Sequence, residues 1–61
     1  MWKLYFEYSD GGKITVTGKG DITPQKKENY IKRYGSAQKA ILQRYPKIKY
    51  APEVLWDLTQ N

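Results

Sequence analysis

The sequence predicts a small α+β domain: a three-stranded antiparallel sheet in the order 2-1-3, packed on one face by a helix that is kinked near Gly35. Over residues 1–17, apolar and polar residues alternate on both sides of a glycine-containing turn, which is typical of a hairpin of half-buried strands. Between about residues 24 and 45 the apolar residues follow the period of an amphipathic helix. Alternation then returns after Pro46. The predicted order is therefore β-β-α-β, in a single domain over residues 1–61.

The first two strands are predicted to form a hairpin. Gly11 and Gly12 follow Asp10, and such residues tolerate the positive φ angles of a tight turn. The residues predicted to point to the covered face are apolar: Trp2, Leu4, Phe6, Tyr8, Ile14 and Val16. The helix can cover only one face of the sheet. We therefore expect an open face, which carries Lys3, Tyr5, Glu7, Thr15 and Thr17.

The helix is predicted to begin with Thr23 as its N-cap and Pro24 at its first position, where the missing amide hydrogen costs nothing. Gly35 can be interpreted as the end of this helix, with Ser36 capping a second one. The apolar stripe nevertheless continues through this dipeptide without a change of phase, which favours one kinked stretch to residue 45. The stripe consists of Tyr30, Ile31, Tyr34, Ala37, Ile41, Leu42 and Tyr45.

The third strand is predicted after Pro46 and is expected to be most regular from Val54 to Leu58. Pro52 lacks an amide donor and should interrupt pairing before that point. A right-handed crossover places this strand parallel to the second strand and beside the first. The residues predicted to face inward are Ile48, Tyr50, Val54, Trp56 and Leu58. The residues expected to be most buried in the whole domain are Leu4, Phe6, Ile14, Val16, Ile41 and Trp56.

Composition argues against catalysis, cofactors and metal ions. The 61 residues include no cysteine and no histidine, so thiolate and imidazole ligands and nucleophile–histidine pairs are absent. The 6 carboxylates are scattered and form no recognisable acid–base pair. No apolar run approaches the ~20 residues of a membrane span. We therefore expect a soluble, cytoplasmic, non-enzymatic protein that binds neither a cofactor nor a metal.

The formal charge of +5 suggests one class of partner, nucleic acid. A helix face rich in cations can follow a phosphate backbone, and the Gly18-Lys19-Gly20 loop can present amide groups and an ammonium to phosphate. A basic outer face is equally typical of any solvated helix. The residues predicted to bind nucleic acid are Lys19, Lys26, Lys32, Arg33, Lys39 and Arg44.

The open face suggests a second class of partner, another protein or a second copy of the chain. Tyr5 is predicted to lie there between Lys3 and Glu7, and a domain this small often buries additional surface by associating. An edge strand offers a further route to pairing. Because no base-reading motif is present, the sequence favours protein interaction through Lys3, Tyr5 and Glu7, with nucleic-acid binding as the alternative.

Overall fold

A computed structural model of the chain describes residues 1–45 and 52–59. Their elements, in chain order, are strand β1 (Trp2–Glu7), strand β2 (Lys13–Gly18), helix α1 (Pro24–Tyr34), strand β3 (Lys39–Arg44) and strand β4 (Glu53–Asp57). The strands form one antiparallel sheet in the order β2-β1-β3-β4, and α1 packs on one of its faces. The α+β class is therefore confirmed, but the sheet has four strands in place of the predicted three. The helix in the described residues is too short and too polar to cross a membrane.

The predicted hairpin is confirmed. Strands β1 and β2 pair in register from Trp2 opposite Gly18 to Glu7 opposite Lys13. The turn is closed by the Tyr8 amide, which donates to the Gly12 carbonyl at 2.8 Å. Gly11 has a φ of 89°, a conformation that side chains disfavour, so the turn requires glycine at this position.

The predicted start of the helix is confirmed, and its predicted end is wrong. The Thr23 hydroxyl accepts a hydrogen bond from the Lys26 amide at 3.2 Å, as an N-cap does. Helix α1 ends at Tyr34, with Gly35 as its C-cap. Gly35 is therefore a stop, and the stretch predicted to continue as a kinked helix to residue 45 contains a strand.

Strand β3 occupies the place beside β1 that the sequence assigned to the last strand. Its apolar residues Ala40, Ile41 and Leu42 are consecutive, so they fit a helical stripe and a strand equally well. As a strand, β3 hydrogen-bonds to β1 on one side and to β4 on the other, which satisfies its backbone. Ala40 and Leu42 are then fully buried, whereas Ile41 turns to the opposite face.

Strand β4 lies at the sheet edge and contains a bulge that alters the predicted alternation. Ala40 pairs with Trp56 and Ile41 with Val54, so Leu55 is an extra residue on β4. Leu55 and Trp56 pack against the core. Val54 and Leu58, which were predicted to face inward, are 57% and 67% exposed. The predictions for Pro46, Ile48 and Tyr50 lie outside the described residues.

The core lies between α1 and the covered face of the sheet. The Phe6 ring lies 4.9 Å from the Tyr34 ring and 6.1 Å from the Trp56 ring, measured between centroids. The Trp2 indole lies over Gly18, where any Cβ atom would overlap it. The buried residues are Trp2, Leu4, Phe6, Ile22, Ala37, Ala40 and Leu42. Among the residues expected to be most buried, Leu4 and Phe6 are confirmed, and the others are only half-buried: Ile14, Val16, Ile41 and Trp56.

An ionic network joins α1 to the ends of β3 and β4. Glu53 accepts from the Lys27 ammonium at 2.5 Å and from the Arg44 guanidinium at 3.0 Å. Arg44 also reaches Asp21, before the helix, at 3.3 Å. The bonds from Lys27 and Arg44 hold the pKa of Glu53 below its ordinary value.

We expect this network to make a small, pH-dependent contribution to stability. Because the folded pKa of Glu53 is depressed, its stabilisation is present above the ordinary carboxylate pKa and is lost as the pH falls through the folded pKa. Glu53→Gln should lower the free energy of unfolding at neutral pH by up to about 1 kcal/mol, since the pair is partly exposed. Urea unfolding of both proteins should show this difference at pH of about 7 and not at about 2. A difference that persists at the lower pH would contradict the assignment of this stabilisation to the Glu53 carboxylate. Glu28→Gln, which removes an exposed carboxylate of α1, is the control.

Candidate interaction surface

The sheet face opposite α1 is not covered by any described element. On β1, the Trp2 and Phe6 rings contact rings of α1. Lys3, Tyr5 and Glu7 alternate with them and therefore lie on the other face, as predicted. Residues directly opposite on neighbouring strands point to the same side, so the strand register defines the rest of this open face.

An apolar row crosses the middle of the open face. Tyr5 lies opposite Thr15 on β2 and Ile41 on β3, and Ile41 lies opposite Val54 on β4. We call these four residues the central row. The Tyr5 hydroxyl donates to Glu7 Oε2 at 2.5 Å, which raises the pKa of the Tyr5 phenol. The central row thus presents an aromatic ring and two aliphatic side chains that no described element covers.

A row of charges of alternating sign lies beside the central row. Lys13 faces Glu7, Glu7 faces Lys39, and Lys39 faces Asp57, one residue from each strand. We call these four residues the charge ladder. Its formal charges sum to zero. The pKa of Asp57 is lowered by hydrogen bonds from Thr59 and, to a smaller extent, by the nearby charge of Lys39.

The four side chains of the charge ladder form no salt bridges with described residues. The salt bridges found among residues 1–45 and 52–59 involve none of its members. Its lysines therefore keep ammonium groups that an approaching carboxylate can bind.

A polar row lies on the other side of the central row. Lys3 faces Thr17 on β2 and Gln43 on β3. Gln43 accepts a hydrogen bond from the Tyr45 hydroxyl at 2.7 Å. The open face is therefore a strip of apolar side chains bordered on both sides by polar and charged ones, the arrangement found in many protein interfaces.

The six residues predicted to bind nucleic acid do not form one surface. Lys26, Lys32 and Arg33 lie on the exposed side of α1, and Lys19 is exposed in the loop before it. Lys39 and Arg44 were placed on the same helix face, which is wrong because both lie on β3. Lys39 belongs to the open face.

Three of these six cations also interact with other side chains of the same chain. Arg44 binds Glu53 and Asp21, and Lys32 lies 3.4 Å from Glu28. The Arg33 guanidinium lies over the Tyr34 ring at 5.7 Å from its centroid. The members of this set that are exposed outside the sheet are thus Lys19, Lys26, Lys32 and Arg33.

Sequence reasoning identified the β1 part of the open face and missed the part contributed by β3 and β4. The missed residues are Lys39, Ile41 and Val54. The signal for β3 was the alternation of polar residues at Lys39 and Gln43 with inward Ala40 and Leu42. On β4 the bulge at Leu55 reverses the side of Val54, whereas Asp57, beyond the bulge, keeps the predicted alternation with inward Trp56.

Within the described residues, no group of three or more acidic side chains is arranged to hold a metal ion. No protein-family model matches this chain, and neither a curated protein nor a solved structure shows significant similarity to it. The assignment of a function therefore depends on the geometry of the open face and of α1.

Proposed function

We propose that the protein is a non-enzymatic interaction module that binds a protein partner through the open face of its sheet. The observation that carries this proposal is the central row, in which Tyr5, Ile41 and Val54 are left uncovered by residues 1–45 and 52–59 and lie beside a charge ladder of zero net charge. Burying such apolar groups is favourable by about 25 cal/mol per Å². Tyrosine is also enriched in interfaces because it provides a large apolar area with a polar end.

The charge ladder favours a protein over nucleic acid as the occupant of this face. Its lysines alternate with Glu7 and Asp57, so the field above it largely cancels within a few ångströms. A phosphate backbone would meet two carboxylates, whereas a protein surface can present charges of both signs. The open face thus has the charge pattern expected for a protein interface.

The sheet edges are less suited to binding than the open face. At one edge, the bulge at Leu55 and the nearby Pro52 disturb the regular pattern of donors and acceptors on β4. At the other edge, β2 begins with Lys13, a charged residue of the kind that disfavours edge pairing, and ends at Gly18. The proposal therefore places the interaction on the face.

Affinity capture from cells that express the protein tests this proposal. Ile41→Arg introduces a charge into the central row without entering the core, and should abolish capture of a specific partner. Lys26→Gln on the exposed side of α1 is the control and should leave capture unchanged. Circular dichroism confirms that both variants fold. The proposal is contradicted if Ile41→Arg captures the same proteins as the wild type, or if the wild type neither captures a protein specifically nor associates with itself at high concentration.

Nucleic-acid binding is a second candidate, favoured by the cations that remain exposed on α1. Lys26, Lys32 and Arg33 would contact phosphates, with Lys19 at the end of the same surface. Each neutralised phosphate contributes about −0.9 to the slope of log affinity against log salt on duplex DNA. Lys26→Gln with Arg33→Gln should then flatten the slope by about 2. Absence of binding to duplex or single-stranded nucleic acid at low salt would remove this candidate.

A further inference from the structure

The order of charges along the ladder makes the open face complementary to a rotated copy of itself. We infer that its partner is a second copy of this chain, stacked face to face about a twofold axis that runs along the strands through the space between β1 and β3. This inference rests on the proposed function, because it names the occupant of the same face.

The charge pairing follows from the strand register alone. From one edge of the sheet to the other, the ladder reads Lys13, Glu7, Lys39 and Asp57, with signs plus, minus, plus and minus. A twofold rotation about an axis along the strands reverses this order of strands. It leaves each row at the same position along the strand direction. Lys13 then faces the partner's Asp57, and Glu7 faces the partner's Lys39. Every charge of the ladder meets its opposite, and each pair occurs twice.

The same rotation brings the apolar groups together. Tyr5 lies over the partner's Ile41, and Thr15 lies over the partner's Val54. In the polar row, Lys3 lies over the partner's Gln43, so no like charges are opposed. The dimer would be a two-layer β-sandwich with a helix on each outer side, in which sheets pack about 10 Å apart with strands within about 30° of alignment.

A twofold axis across the strands would give a poorer match. It would place Glu7 over the partner's Lys3, but it would leave Lys39 facing the partner's Gln43 and Lys13 facing the partner's Thr17. The positive charges of the ladder would lose their partners. The axis along the strands is therefore the one that the sequence of charges specifies.

The area of the open face determines how strongly the two copies are expected to bind. Four strands spaced about 4.8 Å apart and about 20 Å long form a face of roughly 400 Å² on each partner, or about 800 Å² in total, which is below the roughly 1,200–2,000 Å² of stable interfaces. The dimer should consequently be weak, with a dissociation constant of about 10 μM to 1 mM. It should form at high protein concentration and dissociate on dilution.

Paired charge reversals test the arrangement directly. Glu7→Lys places a lysine opposite the partner's Lys39, and Lys39→Glu places a glutamate opposite the partner's Glu7. Each variant alone should associate at least about tenfold more weakly than the wild type, because two attractive contacts in each dimer become repulsive. In an equimolar mixture, the two variants should associate with each other, since every reversed charge then faces its opposite. Sedimentation equilibrium of each variant and of the mixture measures these states.

The controls have the same changes of charge on the other side of the molecule. Glu28→Lys and Lys26→Glu on α1 should associate like the wild type, alone and mixed. The two open-face variants can associate with each other only if both are folded. Association in the mixture therefore excludes misfolding as the reason for weak association of each variant alone.

Three results would overturn the inference. The first is a wild type that remains monomeric up to about 1 mM. The second is a dimer that survives either open-face reversal, and the third is a mixture of the two variants that fails to associate. None of these results alone removes the proposed function, which fails only if Ile41→Arg leaves the capture of a different protein unchanged or if no specific partner exists.

Discussion

The Phe6→Ala variant is expected to lose about 3–5 kcal/mol of its free energy of unfolding, the range measured when a buried phenylalanine is truncated. Phe6 is 0% exposed, lies on the central strand β1, and packs against the Tyr34 and Trp56 rings. Removing its ring therefore leaves a cavity between the sheet and α1. A chain of 61 residues has a total stability of only about 3–9 kcal/mol, so most of the margin would be lost.

Urea unfolding at low protein concentration, monitored by circular dichroism, measures the effect of this substitution. Val54→Ala is the matched control, because Val54 is also apolar and lies in the same sheet but is 57% exposed. The control should change the free energy of unfolding by less than about 0.5 kcal/mol. A Phe6→Ala variant with stability within about 1 kcal/mol of the wild type would contradict the described core.

The Leu42→Ala variant is expected to lose about 2–5 kcal/mol, whereas its neighbour Ile41→Ala should lose no more than about 1–2 kcal/mol. Leu42 is 0% exposed and faces α1, but Ile41 is half-buried on the open face. Adjacent residues on a strand point to opposite faces, and adjacent residues on one helical stripe do not. The pair of substitutions therefore distinguishes strand β3 from the helix that periodicity predicts for the same residues.

Thermal and urea unfolding of the two variants, measured at low protein concentration, provide this comparison. Low concentration is required because Ile41 belongs to the proposed interface, and its removal would otherwise act through association. Equal destabilisation by both substitutions would indicate that Ile41 and Leu42 share one buried face, and strand β3 would then be wrong.

Local signals in the sequence were sufficient to predict the hairpin and the start of the helix. The Asp10-Gly11-Gly12 turn and the Thr23-Pro24 N-cap each depend on neighbouring residues alone. Strand β3 could not be predicted in this way, since its apolar run fits both periods. Its conformation is decided by pairing with β1 and β4, which are distant in sequence. Both interpretations of Gly35 made the residues after it helical, so neither predicted strand β3.

The candidate site was predictable to the same extent. Lys3, Tyr5 and Glu7 were placed on the open face because the alternation of β1 is regular. Lys39 was assigned to the basic face of a helix, but it lies on strand β3. Val54 was assigned to the core, but it precedes the bulge at Leu55, which reverses the alternation. The charge ladder is therefore visible only once the strand register is known.

The central claim is that the protein associates with a second copy of itself through the open face, and the most direct measurement is an NMR dilution series that follows its methyl groups. Between about 1 mM and about 10 μM protein, the methyl resonances of Ile41 and Val54 should shift progressively as the stacked dimer dissociates. Those of Leu4 and Leu42, which lie between the sheet and α1, should shift far less. Stationary Ile41 and Val54 methyls, with dilution-dependent shifts confined to α1 or to the β2 edge, would contradict the claim.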